Sequence, residues 1–311
     1  MLSIHSLRLN LCFRGVSRPL GHFRFNSQGR WLDRQSNDHY TKEAKVQGLR
    51  SRAAFKLMEL DDKFHLFQGD KHKHQRVLDL GFAPGAWSQV AQRRIGPNGM
   101  VLGVDILPCE PPKGVHSIQA NILSRKTHEL IRLYFSRHFQ LYKSDHLHEH
   151  HGYFQHRLEE QLGLIKNTDA YDEIFDVGLS SGKVDRFPID TIISDMYECW
   201  PQITGYWNNL TNAAYYRMAN TSGVAIRDHY QSIDLADAAL VTAIDLLRPR
   251  GNFVCKLYTG KEDKLFEKRL RKVFQRVNRF KPASSRGESK ELYFIGLGKK
   301  DPIDKLDVFS V

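Results

Sequence analysis

A lysine inside an apolar run has to be accounted for. Lys256 lies within Phe253-Val254-Cys255-Lys256-Leu257-Tyr258, which reads as a buried strand, so its amine is partly desolvated and needs a partner or a chemical task. Far upstream, Gly81-Phe82-Ala83-Pro84-Gly85 follows the short apolar run Arg76 to Leu80. Two glycines after a strand let the backbone pass close to a small ligand. Asp105, 20 residues beyond Gly85 at the end of the next apolar run, is placed to accept from both hydroxyls of a ribose. Adenosine fits that arrangement, whether carried by a nicotinamide dinucleotide or by S-adenosylmethionine. The turn is not G-x-G-x-x-G and lacks the spacing that brings a pyrophosphate onto a helix N-terminus, which favours an adenosine ligand without a diphosphate. Taken alone, the turn also reads as an ordinary structural connection.

The elements that would hold these groups alternate along the chain. Apolar residues at helical spacing from Leu49 to Leu66 (Ala53, Phe55, Leu57, Leu60, Phe64) predict an amphipathic helix. Arg76–Leu80 and Met100–Val104 predict buried strands, Val115–Gln119 a weaker one, and a helix is expected from about Ala86 to Arg94. Ile189–Ile193, Asn252–Tyr258 and Glu291–Leu297 extend the strand series, with a helix from about Arg227 to Leu247. Strands and helices alternating across Gly/Pro turns predict an α/β fold, a mainly parallel, doubly wound sheet with its ligand site at the carboxyl ends of the strands. Ser124 to Phe187 is too long for an ordinary crossover and carries His138, His146, His148, His150, His151 and His156. Without cysteine or fixed ligand spacing it is read as a solvated, partly helical insertion between the third and fourth strands, with no metal site.

Composition narrows the class. Apolar residues are 41% and charged residues 26% of 311, ordinary for a globular protein, and no apolar run reaches the ~18 residues of a membrane span. Cys12, Cys109, Cys199 and Cys255 are dispersed, without a Cys-x-x-Cys pair, as free thiols in a reducing compartment would be. No acidic residue precedes Asp33, whereas Arg8, Arg14, Arg18, Arg24 and Arg30 recur among serines, leucines and phenylalanines. That is the composition of a mitochondrial transit peptide over residues 1–30, or of a basic RNA-binding tail. Its removal takes five of the 46 basic residues and none of the 35 acidic ones, so the net charge falls from +11 to +6. The surviving excess suggests a polyanionic partner. Residues 261–281 hold nine basic residues against three acidic ones. Phe266, Leu270, Val273, Phe274 and Val277 there form the buried stripe of an expected helix, leaving Lys268, Arg269, Arg271, Lys272 and Arg276 for RNA phosphates or for a solvated face.

Five segments in a fixed order make the pattern specific: Ser51-Arg52-Ala53-Ala54-Phe55-Lys56-Leu57, the turn from Asp79 to Trp87, Ser194-Asp195-Met196, Phe253-Val254-Cys255-Lys256, and Ser284 to Tyr293. Over roughly residues 45–300, outside the insertion, the chain resembles the FtsJ/RrmJ family of ribose 2′-O-methyltransferases. Tyr197-Glu198-Cys199-Trp200-Pro201, Gly205-Tyr206-Trp207-Asn208-Asn209 and Arg227-Asp228-His229-Tyr230 are most similar to that family's fungal mitochondrial branch, which methylates a uridine of large-subunit ribosomal RNA.

The resemblance implies a Rossmann-like, mainly parallel seven-stranded sheet over residues 40–300, with residues 301–311 as a C-terminal tail. It implies a catalytic tetrad of Lys56, Asp195, Lys256 and Glu291. It also implies an S-adenosylmethionine site built from Gly81, Ala83, Pro84, Gly85, Ala86, Trp87, Asp105, Asn121 and Asp195. Arg52 is expected on the RNA because it neighbours Lys56, joined by Lys268, Arg269, Lys272 and Arg276. The implied setting is a monomer in the mitochondrial matrix acting on large-subunit rRNA or a pre-ribosomal particle, with a possible role in subunit assembly. Four positions depart from the family: Asn121 stands where the bacterial member has aspartate, Phe82 replaces a small residue, and Tyr197-Glu198 replaces an Ala-Pro pair. Each tetrad residue taken singly also reads as an ordinary surface or strand-end charge. Two further functions stay open at this level, a nicotinamide-dependent oxidoreductase and a catalytically idle RNA-binding assembly factor.

A ribose hydroxyl attacks a sulfonium methyl only once its proton is removed or strongly polarised, which requires a base or a positioned hydrogen-bond partner. Lys256 is the expected proton acceptor, with Lys56 and Glu291 holding the hydroxyl and Asp195 lying between cofactor and Lys256. Burial and a neighbouring lysine favour the free amine, while the two carboxylates oppose it.

Overall fold

The structure is a computed structural model that describes residues 37–67, 74–135, 185–201 and 218–310. The expected transit peptide lies outside these residues, as do Gly205 to Asn209 and the six histidines of the expected insertion. The unit from His39 onward is built on a seven-stranded sheet. Its strands are β1 (Arg76–Leu80), β2 (Met100–Asp105), β3 (Val115–Gln119), β4 (Ile189–Ser194), β7 (Leu247–Tyr258), β8 (Phe274–Phe280) and β9 (Glu291–Lys299), in the order β3-β2-β1-β4-β7-β9-β8. Two short strands, β5 (Trp200–Pro201) and β6 (Met218–Ala219), pair antiparallel outside it. The first five strands of the sheet run parallel, and β9 lies antiparallel between β7 and β8. From β1 the chain builds outward to β3, then returns through β4 in the opposite direction. The strand order therefore reverses between β1 and β4, opening a crevice at their carboxyl ends.

Helices cover both faces because the parallel strands are apolar on both sides. On one face, α1 (His39–Val46), α2 (Ala53–Phe64) and α3 (Ala86–Ile95) pack on Val77, Val101, Ile193, Val254, Tyr293 and Ile295. On the other, α4 (Arg125–Phe135), α5 (Ala225–Leu246), α6 (Asp263–Val273) and α7 (Lys305–Phe309) pack on Leu78, Leu102, Ile192, Phe253, Cys255, Leu257 and Phe294. Side chains alternate between faces along a strand, so Val254 and Lys256 of β7 share the α2 face while Phe253, Cys255 and Leu257 turn away. No helix among the described residues is long and apolar enough to cross a membrane.

Three details differ from the sequence expectations. The helix expected to run through residues 261–281 ends at Val273, and Phe274–Phe280 is the edge strand β8, registered along β9 from Phe274↔Lys299 to Phe280↔Tyr293. Apolar residues at 273, 274 and 277 fit a helical stripe, but pairing with β9 and stacking of Phe274 on Phe253, 5.5 Å between centroids, decide for a strand. A Cβ on Gly296 would lie 2.5 Å from the Phe274 ring, so glycine is what admits it. Residues 125–135, counted with the insertion, form α4 and bury Leu130, Ile131, Leu133, Tyr134 and Phe135 in the core. The expected C-terminal tail carries α7, whose Val308 is buried against the same core.

Candidate active site

Four chain segments meet at the carboxyl end of the sheet. Lys56 comes from the first half of α2, Asp195 follows β4, Lys256 lies near the end of β7, and Glu291 begins β9. The antiparallel register Lys256↔Tyr293 and Tyr258↔Glu291 puts these strand residues on the face that α2 covers. Lys56 Nζ donates to Glu291 Oε2 at 2.7 Å, with only 13% and 8% of the two side chains exposed. Lys256 Nζ donates to the carbonyl oxygen of Asp195 at 2.7 Å and lies 3.0 Å from its Oδ1. The Lys256 side chain is 2% exposed. The sequence-predicted tetrad is therefore two lysine–carboxylate pairs.

Tyr293 joins the pairs. Its hydroxyl donates to Asp195 Oδ1 at 3.0 Å, and its ring lies 6.0 Å from Lys56 Nζ and 5.7 Å from the Trp87 ring. Burial, then the carboxylates of Asp195 and Glu291, raise its pKa well above the ordinary phenol value, so the hydroxyl remains a donor. Tyr293 was part of the sequence motif but had no role assigned; its β9 register opposite Lys256 is what shows one. Burial works against ionisation of Glu291, but the charge and hydrogen bond of Lys56 outweigh it and hold the carboxyl below its usual value. Cys199 is no competing nucleophile, because burial first and the nearby Asp105 second push its thiol up to about 11.

The glycine turn forms the adjoining wall. Gly81 and Gly85 take φ of 72° and 95°, a region that side-chain-bearing residues enter at a cost. A Cβ would also lie 2.6 Å from Met196 Cγ at Gly81 and 2.8 Å from Pro112 at Gly85. Pro84 and Ala83 complete the turn, Ala86 opens α3, and Trp87 donates through Nε1 to Ala53 O at 2.9 Å, tying turn to α2. Phe82 is accommodated by Gly103 of β2, where a Cβ would meet the Phe82 ring at 2.5 Å. Arg50, which carried no sequence signal of its own, clamps the turn: its guanidinium donates to the carbonyls of Pro84 at 2.8 Å, Pro111 at 3.0 Å, and Glu110. Beneath the turn, Asp79 is fully buried, accepts from Ser88 Oγ at 2.6 Å, and has its pKa pushed up to about 8 by desolvation.

Asp105 accepts one backbone N–H on each oxygen, from Ala83 and from Leu107, both at 2.9 Å. A carboxylate oxygen has a further lone pair, so each can still accept a hydroxyl. Burial raises the Asp105 pKa, against the hydrogen bonds from Leu107 and Ala83 that lower it. Asn121 is exposed and its Oδ1 accepts from Leu123 N at 3.0 Å, which leaves one lone pair on the amide oxygen. Ile106 and Leu123, immediately after Asp105 and two residues after Asn121, are 61% and 73% exposed. Two large apolar side chains left in water beside a carboxylate and an amide suit the faces of a purine, and their exposure was not legible in the sequence. A diol acceptor, an amide, an apolar pair and a glycine wall fit an adenosine-bearing cofactor.

The basic residues expected on RNA do not form one group. Arg52 lies next to the pairs: it donates to Ser284 O, sits 5.6 Å from the Tyr40 ring, and feels the charge of Glu291. Arg269 pairs with Asp237 of α5 and lies over Phe309, while Lys272 reaches Asp307 at 3.1 Å, so both hold α6 to its neighbours. Lys268 is exposed on α6, and Arg276 is exposed on β8 at the other end of the sheet.

Residues 49–299 match the family described as FtsJ-like methyltransferase. The chain is 65% identical over 308 residues to rRNA methyltransferase 2, mitochondrial, of Saccharomyces cerevisiae, covering 95% of this chain and 96% of that protein. It is 32% identical over 270 residues to the Schizosaccharomyces pombe protein of the same name, covering 87% and 95%. Ribosomal RNA large subunit methyltransferase E of Novosphingobium aromaticivorans is 32% identical over 274 residues, covering 88% and 89%.

Proposed function

The chain belongs to the FtsJ-like methyltransferase family, and from that membership and the geometry of its site we propose that it methylates the 2′-hydroxyl of a uridine ribose in mitochondrial large-subunit rRNA. Its cofactor in this reading is S-adenosylmethionine, its setting the mitochondrial matrix, and its substrate the rRNA or a pre-ribosomal particle, engaged by a monomer. The observation that carries the reading is the convergence of Lys56, Asp195, Lys256 and Glu291 beside the glycine wall. Asp105 would hold the ribose of the cofactor and Asn121, with the exposed Ile106 and Leu123, its adenine. Gly81 to Trp87 would line its methionine end.

When bound, S-adenosylmethionine supplies a methyl group on a sulfonium, an electrophile that needs no further activation. The residues have then to prepare the hydroxyl. A neutral amine offers two N–H donors and one lone pair. Once its own proton has left, Lys256 would keep its hydrogen bond to the Asp195 carbonyl and turn its lone pair to the ribose hydroxyl. As that hydroxyl takes the methyl group, its proton would pass to Lys256 Nζ and later to solvent. Lys56 and Glu291 hold the hydroxyl in line. Tyr293 keeps Asp195 oriented through its hydrogen bond, and Arg52 is positioned for a phosphate of the target strand.

The direct test incubates the purified protein with methyl-labelled S-adenosylmethionine and mitochondrial rRNA, then maps ribose methylation. One labelled 2′-O-methyluridine in the large-subunit rRNA is expected; label on a base, or none, would refute the assignment.

A further inference from the structure

At the opposite end of the face that carries the active site, a second concavity of about 550 Å³ opens between the end of α2, the irregular first half of β7, and the edge strand β8. Lys63, His65, Arg250 and Arg276 line it around the ring of Phe64, and no aspartate or glutamate is among its lining residues. Lys63, Arg250 and Arg276 are exposed, and none makes an ion pair with a carboxylate among the described residues. Lys63 instead lies 4.2 Å over the Phe280 ring. Arg279, on the other face of the same strand, is spent on Glu267. Like charges gathered in a cleft without a counter-ion repel one another, and an incoming anion relieves that repulsion.

A second observation falls on the same place. Among the described residues, the non-glycine residues with positive φ are His65, at 52°, and Arg250, at 66°, and both line this cleft. Both lie in a region of backbone that residues with a side chain enter only at a cost. Glycine would relieve that strain at either position, yet side chains able to carry positive charge stand there. Edge-strand arginines also deter sheet-to-sheet pairing, but Lys63 and Arg250 are not on the edge strand.

Lys63 stands seven residues after Lys56, two turns along one stripe of α2, ~11 Å on. A strand whose target nucleotide sits at Lys56 and Lys256 has its flanking nucleotides within reach of the cleft. We propose that this cleft is a second RNA site, which grips phosphodiester groups flanking the methylated nucleotide through Lys63, Arg250 and Arg276. It rests on the reading of the active site as an RNA methyltransferase.

The test compares the full chain with a Lys63→Gln/Arg250→Gly/Arg276→Gln variant in binding a labelled oligouridylate of about 20 nucleotides, longer than the ~4–16 that one single-strand site covers, across a salt series. Arg250→Gly removes backbone strain, so the variant is expected to melt no lower than the parent. Losing three phosphate contacts makes the slope of log affinity against log salt shallower by about 2. The KM for rRNA is expected to rise about 10-fold or more, with kcat and cofactor affinity unchanged. A control, Lys264→Gln/Lys300→Gln/Lys305→Gln, removes the same charge from the α6–α7 side and should leave slope and KM near the parent values. Unchanged slope and KM in the cleft variant, or equal losses in the control, overturn the cleft while the parent still binds and methylates. A parent protein that neither binds RNA nor transfers methyl overturns the active-site reading itself.

Discussion

Lys56 and Glu291 stand 235 positions apart in the chain and meet at 2.7 Å, almost closed off from water. Removing either partner strands a buried charge, which typically costs about 3–5 kcal/mol. Lys56→Met and Glu291→Gln are each expected to lower methyl transfer at least 10²-fold, with the double variant scarcely worse than either single one. Additive losses in a double-mutant cycle would show that the two act independently.

The same pair makes stability pH-dependent. Glu291 is held below its ordinary value of 4.5 in the folded chain, so the unfolded state takes up a proton at higher pH than the folded state does. Its contribution is complete above that value and is lost as pH falls through the lower folded one. In thermal melts below about pH 4.5, Glu291→Gln should flatten the parent's acid decline; an unchanged decline would place that linkage elsewhere.

Lys256→Arg separates proton acceptance from orientation. Arginine can still reach Asp195, but its guanidinium gives up no proton near neutral pH and so offers no basic lone pair. Transfer is expected to fall about 10²–10⁴-fold in Lys256→Arg and Lys256→Met alike, while calorimetric cofactor binding stays within a few-fold of the parent. Near-normal turnover by the arginine variant would leave Lys256 an orienting role only.

Asp105→Ala should weaken S-adenosylmethionine binding by about 10–100-fold, the worth of a hydrogen bond to a charged group at ~1.5–3 kcal/mol. It should also lower the melting temperature, because Asp105 pins Ala83 N and Leu107 N. Calorimetry and melting curves read the two effects separately, and cofactor affinity unaffected by the change would exclude the diol role.

Asp79 predicts the opposite pH slope. Desolvation pushes its folded pKa up to about 8 from an ordinary value of 3.8, so between those values the folded state holds a proton that the unfolded state has released. Stability therefore falls as pH rises through that window. Asp79→Asn keeps the neutral shape, and its melting temperature should decline less than the parent's from pH 5 to 8; parallel declines would refute the assignment.

Arg269→Ala is expected to cost stability and leave RNA affinity within about 2-fold, because its charge is spent on Asp237 and its plane on Phe309. Denaturant unfolding and oligouridylate binding on one preparation decide the point. A large loss of RNA affinity at unchanged stability would return Arg269 to the RNA-binding surface.

Much of this was legible in the linear chain because it is local. Apolar runs bounded by Gly and Pro announced β1, β2, β4, β7 and β9, and Lys256 drew notice because an amine is costly inside such a run. The glycine turn and Asp105 could be matched to an adenosine ligand because strand, turn and next strand are neighbours along the chain. What depends on distant partners could not be read in that way. The stripe at 266, 270, 273, 274 and 277 fits one helix as well as a helix followed by a strand, and only β9 across the sheet decides between them. Arg269 looks as free as Lys268 until α5 supplies Asp237, and Lys63 and Arg250 become one cleft only when α2 and β7 are packed side by side. The linear order of residues determined which groups could do chemistry and which strands would carry them. Folding decided which lysine faces which carboxylate, because Coulomb attraction, hydrogen bonding and burial act across a few ångströms of space, however many residues of chain lie between.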